Sequence, residues 1–167
     1  MQDMALALVL IICSFTDWKY RKIYNIVLMP ALLFAIGSNL YQGGWPGLGQ
    51  SLLGMLIGLL ILIIPFARGG MGAGDVKLLA FVGALQGPLF VVYSAIGMGL
   101  VGGIMALGIW TYRLGFIKTI RGIFEGIWMM LTTRFKQFSF TLTQEKIMVP
   151  YGLAIALGTA GAWLWMR

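Results

Sequence analysis

The chain has 167 residues, 60% of them hydrophobic and only 10% charged, with a formal net charge of +7 at pH 7. A soluble domain carries roughly a quarter of its residues as Asp, Glu, Lys and Arg, so this composition speaks against a soluble fold and for a membrane protein. There is no histidine and one cysteine, Cys13, which excludes Ser-His and Cys-His nucleophile systems, an intramolecular disulfide, and multi-cysteine or His-Glu-x-x-His zinc sites.

Apolar runs of about 17 residues or more recur along the chain, and they are continuous instead of alternating. That pattern predicts a polytopic all-α membrane protein and not a barrel. The first predicted helix covers residues 1–16 and ends at Asp17. Basic residues follow it instead of preceding it, so it reads as a retained helix and not as a signal peptide. Cys13 within it is a small apolar filler. After a basic loop with Lys19, Arg21 and Lys22, the second helix spans residues 26–40. A turn-rich loop over residues 41–49 then reverses the chain, with Trp45 suited to the membrane interface.

The third helix covers residues 51–66, where Gly54 and Gly58, four apart, allow another helix to approach closely. Arg68 and a glycine-rich stretch over residues 69–74 lead into a short fourth helix, 75–85. Eleven residues rise only about 16 Å, too little for about 30 Å of hydrocarbon. The fourth helix is therefore expected to begin inside the membrane envelope, with the glycine stretch as irregular backbone. Beyond the turn at Gln86-Gly87-Pro88 the fifth helix runs over 89–112. Residues 113–146 follow, with Phe116, Ile120, Ile123, Phe124 and Ile127 on one helical face among basic residues, the pattern of an interfacial amphipathic helix. The sixth helix, 147–165, ends the reading. Six transmembrane helices thus make up a single domain over 1–167.

In a membrane protein the positive charge reports orientation, and no nucleic-acid partner is expected. Eleven of the twelve Lys and Arg cluster after the first helix, around the glycine stretch, and between the fifth and sixth helices. By the positive-inside rule these regions are cytoplasmic and both termini lie outside. Asp17 and Asp75 then share the cytoplasmic edge of the membrane.

Of the five acids, Asp3, Glu125 and Glu145 sit where water can solvate them. Asp17 and Asp75 border apolar helices, where an acid is costly. Taken singly, Asp75 fits as a helix cap and Asp17 as an interfacial acid neutralised by Lys19, Arg21 or Lys22. Together they suit a dyad. Two adjacent carboxylates share one proton; the ionised one deprotonates water, and the protonated one polarises a carbonyl and later protonates the leaving amine. That is peptide hydrolysis without a covalent intermediate, metal or cofactor. Glycines beside Asp75 let a substrate backbone approach.

At Gly72-Ala73-Gly74-Asp75 the sequence resembles the GxGD intramembrane aspartyl proteases. Asp17 followed by a basic loop and Asn25, Gly74-Asp75-Val76-Lys77 opening the fourth helix, and Lys146 to Gly152 leading into the sixth make it similar to a bacterial type IV prepilin peptidase, of the short form associated with tight-adherence pili. The resemblance covers essentially the whole chain. It implies a multi-pass protein of the plasma (inner) membrane that removes the basic leader from prepilins or pilin-like secretion proteins. Cleavage would fall at the cytoplasmic face, after a glycine and before the substrate's hydrophobic segment. It carries over Asp17 and Asp75 as catalytic residues, Gly72 and Gly74 as the motif glycines, and Lys77 as a further motif residue.

Two departures stand out. Ile23-Tyr24-Asn25 lacks the proline that commonly precedes the asparagine, and the four-cysteine zinc element of the longer prepilin peptidases is missing, which implies cleavage without methylation of the new terminus. An archaeal preflagellin peptidase would use the same chemistry. A non-enzymatic transporter or scaffold would instead place its acids near the bilayer midplane.

Overall fold

In the computed structural model, which describes residues 2–114 and 151–166, every regular element is helical: α1 (Gln2–Tyr20), α2 (Asn25–Ala67), α3 (Ala73–Gln86), α4 (Pro88–Leu114) and α5 (Tyr151–Trp165). Met1–Gly102 with Pro150–Arg167 form one compact unit, and everything described below belongs to it. Of a second unit, Gly103–Val149, only the end of α4 is described. The amphipathic segment expected over 113–146 lies, beyond Leu114, outside the described residues.

The loop expected over 41–49 contracts to a single break. Residues on both sides are helical, and Gly44 alone departs, with φ 57° and ψ −146°. Glycine reaches that region without a steric penalty, and Pro46 suits the first turn of the arm that follows. The chain does reverse there. Asn39, before the break, donates from Nδ2 to the Ala84 carbonyl at 2.8 Å and to that of Leu85 at 3.1 Å. Ser51, after the break, donates from Oγ to the same Ala84 carbonyl at 2.7 Å. At the opposite end of α3, Lys77 meets Asn25. The two arms of α2 therefore run antiparallel along α3, and they satisfy carbonyls that its last turn leaves without helical partners.

α3 is the core of this unit. Residues 78–85 are buried without a gap, as befits a short helix that is apolar all round. Close backbone contact makes this possible. A Cβ on Gly54 would run into the Gly83 backbone, and one on Gly58 would stand 2.7 Å from the Leu79 carbonyl oxygen. The closely spaced glycines of the third predicted helix thus find their partner in α3. Gly97 of α4 meets Gly158 of α5 in the same way, with a Cβ 2.8 Å from the Gly158 carbonyl oxygen.

Many large apolar side chains of this unit face outward. Ile11, Leu33, Leu89 and Leu100 are each about two-thirds exposed or more, at 68, 73, 70 and 66%. Contiguous apolar surface on this scale calls for a lipid or protein neighbour. Among the described residues, two helices, Asn25–Ala67 and Pro88–Ile109, are long and apolar enough to cross a membrane.

Candidate active site

The glycine-rich stretch does three separate jobs. Its first glycine ends α2: Gly69 lies at φ 72°, its N–H bonds to the Phe66 carbonyl at 2.9 Å, and the Gly70 N–H reaches back to Pro65 at 3.0 Å. That paired pattern around a left-handed residue is a Schellman stop. Residues 68–72 are irregular, and α3 begins at Ala73, two residues before the predicted start.

Gly72 then serves Asp75. Its N–H donates to Asp75 Oδ2 at 3.0 Å, while the Asp75 N–H bonds back to the Gly72 carbonyl at 3.1 Å. Asp75 is therefore a helix cap, one of the two roles open to it from sequence. Capping uses only one of its oxygens. The side chain is buried at 7% exposure, and Oδ1 has no hydrogen-bond partner among the described residues. Two other buried side-chain atoms share that condition, Ser94 Oγ and Thr159 Oγ1, but neither belongs to a carboxyl. A cap alone gives no reason to bury the second oxygen unpaired, since that costs free energy.

Gly74 faces elsewhere. A Cβ there would stand 2.7 Å from Ile23 Cβ, so this motif glycine admits the loop between α1 and α2. Gly72, which is exposed, remains the glycine open to an approaching backbone.

Asp17 comes from the far side of the sequence. α1 continues through it to Tyr20, so Asp17 lies in the last turns of the helix and not just beyond it. Arg21, at φ 51°, ends the helix with its N–H on the Asp17 carbonyl at 2.8 Å. The Asp17 side chain is also buried at 7% exposure, and its Oδ2 accepts the Gly152 N–H at 2.7 Å. Gly152 opens α5, where N–H groups lack helical partners and the dipole favours an anion. Ser14 Oγ, one turn earlier, approaches the Gly152 carbonyl at 3.4 Å.

The two carboxyls belong to one electrostatic environment. Both lie outside the two long apolar helices. Burial raises Asp75 to about 6, with the Gly72 N–H pulling it down and the Asp17 charge pushing it up. Burial also raises Asp17, against the Gly152 N–H and the Arg21 charge. The charge of one aspartate reaches the other, as expected of a shared-proton pair.

Lys77 stands apart from the carboxyls in this arrangement. Its Nζ donates to Asn25 Oδ1 at 2.9 Å in an exposed bond that ties α3 to the start of α2. The structure adds Gly152 and Ile23 to the site; sequence gives neither a contact, because their partners are remote in the chain. An apolar groove between α1 and α5, lined by Leu10, Phe15, Trp18, Leu153 and Leu157 among others, also takes in Ser14, one turn before Asp17. Among the described residues, no three His, Cys, Asp or Glu side chains gather as a metal site.

A family described as the type IV leader peptidase family matches residues 4–107, a span that includes Asp17, the whole of α2 and α3, and Asp75. No curated protein and no solved structure matches the chain.

Proposed function

The chain belongs to the type IV leader peptidase family, and on that footing we propose that it is an aspartic endopeptidase of the plasma (inner) membrane that removes the basic leader from prepilins or pilin-like proteins. The observation that carries the aspartic reading is the pair of buried carboxyls, each held by one backbone N–H and each within the other's electrostatic reach. Structural acids in an apolar bundle would be expected to find cationic partners. Asp75 instead has the charge of Asp17 acting on it.

The environments of the two aspartates suggest a division of labour. Asp17 is held by a short N–H bond and lies near the Arg21 charge, both of which favour its ionised form. It is the general base, taking a proton from the attacking water. Asp75 has a buried, unpartnered Oδ1, where a proton is cheaper than a charge. It is the general acid, donating to the scissile carbonyl as water adds. Collapse of the tetrahedral intermediate breaks the C–N bond: the proton held by Asp17 passes to the leaving amine, and Asp75 recovers its proton from a hydroxyl of the intermediate as the C=O re-forms. Water is the only co-reactant.

The proposal extends to topology. The arms of α2 count as two spans, and with α1, α3, α4 and α5 they give six, with both termini outside and the two aspartates at the cytoplasmic face. The basic residues after α1 and around Arg68 and Lys77 favour that orientation. The groove between α1 and α5 offers the apolar segment that follows the cleavage site a path toward Asp17.

The test is cleavage of a candidate prepilin co-expressed in membranes. Asp17→Asn and Asp75→Asn keep the side-chain shape but cannot share the proton. Each is expected to lower cleavage by about 10³-fold or more, at the upper part of the range for general acid–base groups. Normal leader removal by either folded variant would sink the dyad.

A further inference from the structure

We infer that Gly152 is the positioning residue for Asp17: its N–H fixes one carboxylate oxygen, and its missing side chain leaves the room that the carboxylate occupies. The inference rests on the proposed reading of Asp17 as general base and goes beyond it by giving α5 a part in the reaction.

Three observations converge. The Gly152 N–H donates to Asp17 Oδ2 at 2.7 Å in a buried bond between residues 135 apart in sequence. A Cβ on Gly152 would stand 2.9 Å from that oxygen, 3.0 Å from Asp17 Cβ and 3.1 Å from Asp17 Cγ. All three nearest atoms belong to Asp17, so the space that only glycine leaves is filled by the carboxyl and by nothing else so closely. Third, Ser14 Oγ, one turn before Asp17 in α1, approaches the Gly152 carbonyl at 3.4 Å, so α1 meets Gly152 at both its N–H and its C=O.

A glycine at a helix start is often there for backbone freedom, but Gly152 has no positive φ. Its requirement comes from contact, and the contact is with a carboxyl that the reaction needs within a fraction of an ångström of its place. An alanine would keep the N–H but push Asp17 off its bond. Asp17 would lose a hydrogen bond that favours its charged form and its aim at the water. The titratable groups coupled to the pair are Cys13 of α1, Arg21 just beyond it, and Tyr151 of α5. None of them is altered by the substitution.

The experiment compares wild type, Gly152→Ala and Gly158→Ala. Gly158 packs against α4, where a Cβ would meet the Gly97 and Met98 backbone, so its variant reports purely structural damage to α5. Gly152→Ala is expected to lower kcat about 10- to 100-fold with KM changed less than about 2-fold. The low-pH limb of its rate profile should also move upward, by about half a unit or more. Gly158→Ala is expected to lose folded protein while the surviving fraction keeps the wild-type pH profile. Wild-type kcat and pH profile in Gly152→Ala would overturn the inference.

A second measurement needs no variant at Gly152 and no cleavage. In glycine-¹⁵N-labelled wild-type protein in detergent, the Gly152 amide resonance is expected to titrate with the Asp17 carboxyl, and Asp17→Asn should abolish that titration. A Gly152 amide that ignores Asp17 overturns the inference even if prepilin is cleaved. A wild type that cleaves no prepilin, with the amide still titrating, overturns the proposed function and leaves the hold of Gly152 on Asp17 in place.

Discussion

The two aspartates are seated by the same device at very different distances along the chain. Each carboxylate sits at the N-terminal end of a helix, Asp75 at that of its own α3 and Asp17 at that of α5, and each accepts one backbone N–H from a glycine. Asp75 does so within its own first turn, taking the Gly72 N–H three residues away. Asp17 does so in trans, taking the N–H of Gly152 in another helix. The seat of Asp75 can form as soon as α3 forms, whereas that of Asp17 exists only when α1 and α5 have packed. Half of this site is local structure and the other half is tertiary structure. The half that depends on assembly is the one assigned to the general base.

Beyond the loss of cleavage expected when either carboxylate becomes an amide, the sharpest way to break this comparison is at Gly74. Local as the Asp75 seat is, it leans on one distant contact, the Ile23 Cβ 2.7 Å from where a Gly74 Cβ would stand. Gly74→Ala is expected to cut kcat by about 10- to 100-fold, as the start of α3 shifts against the α1–α2 loop. Ile23→Gly in the same chain removes the opposing Cβ and should recover much of that loss. If Gly74→Ala alone cleaves normally, the loop does not set the position of Asp75. A loss that Ile23→Gly leaves untouched would mean that the glycine is needed for substrate approach instead.

What sequence could reveal follows the same divide. The apolar runs, the Gly54–Gly58 spacing and the Gly72–Asp75 cap are patterns within one or two helical turns, and each has a counterpart in the structure. The reversal between the arms of α2 was also legible, but its form was not. Five turn-forming residues, Gly43, Gly44, Pro46, Gly47 and Gly49, read as an open loop, and helical hydrogen bonding survives on both sides of Gly44 alone. The seat of Asp17 was beyond reach for a different reason. Nothing in the residues around Gly152 says that its amide faces a carboxyl 135 positions earlier. The total burial of α3 was likewise only half visible: its shortness suggested an unusual place, but its sheath comes from Asn39, Ser51 and glycines on other helices.

The local seat also carries a stability cost that the distant one does not show so strongly, and this sharpens the comparison by a smaller effect. Asp75 is raised from an ordinary 3.8 to about 6, so the folded protein binds its proton more tightly than the unfolded chain does. The folded state is therefore favoured below 3.8, loses that advantage as pH rises from 3.8 to about 6, and carries the full penalty above. A shift of this size corresponds to on the order of 3 kcal/mol. Asp75→Asn keeps an oxygen to accept the Gly72 N–H and removes the charge. It is expected to melt several degrees higher than wild type at pH 8, by roughly 2–4 °C per kcal/mol for a chain of this size, with the difference shrinking toward pH 4. A variant that melts lower at pH 8 would show that the charge, acting on the helix dipole, is a net stabiliser of α3.

The smallest effect is expected where sequence invited a larger one. Lys77 follows Asp75 by two residues, and the family resemblance carries it over as a further motif residue. In the fold its ammonium donates to Asn25 in an exposed bond, which places its attraction on the loop side of α3. An exposed side-chain bond of this kind contributes on the order of 1 kcal/mol or less. Lys77→Ala and Asn25→Ala are each expected to change kcat by less than about 3-fold, and the double variant should be no worse than the weaker single one, since both remove the same bond. Kinetics on the four proteins of that cycle decide the matter. If Lys77→Ala alone moves the pH profile of cleavage while Asn25→Ala does not, the lysine acts on the aspartates directly. The site would then hold a third charged participant that its resting geometry keeps turned away.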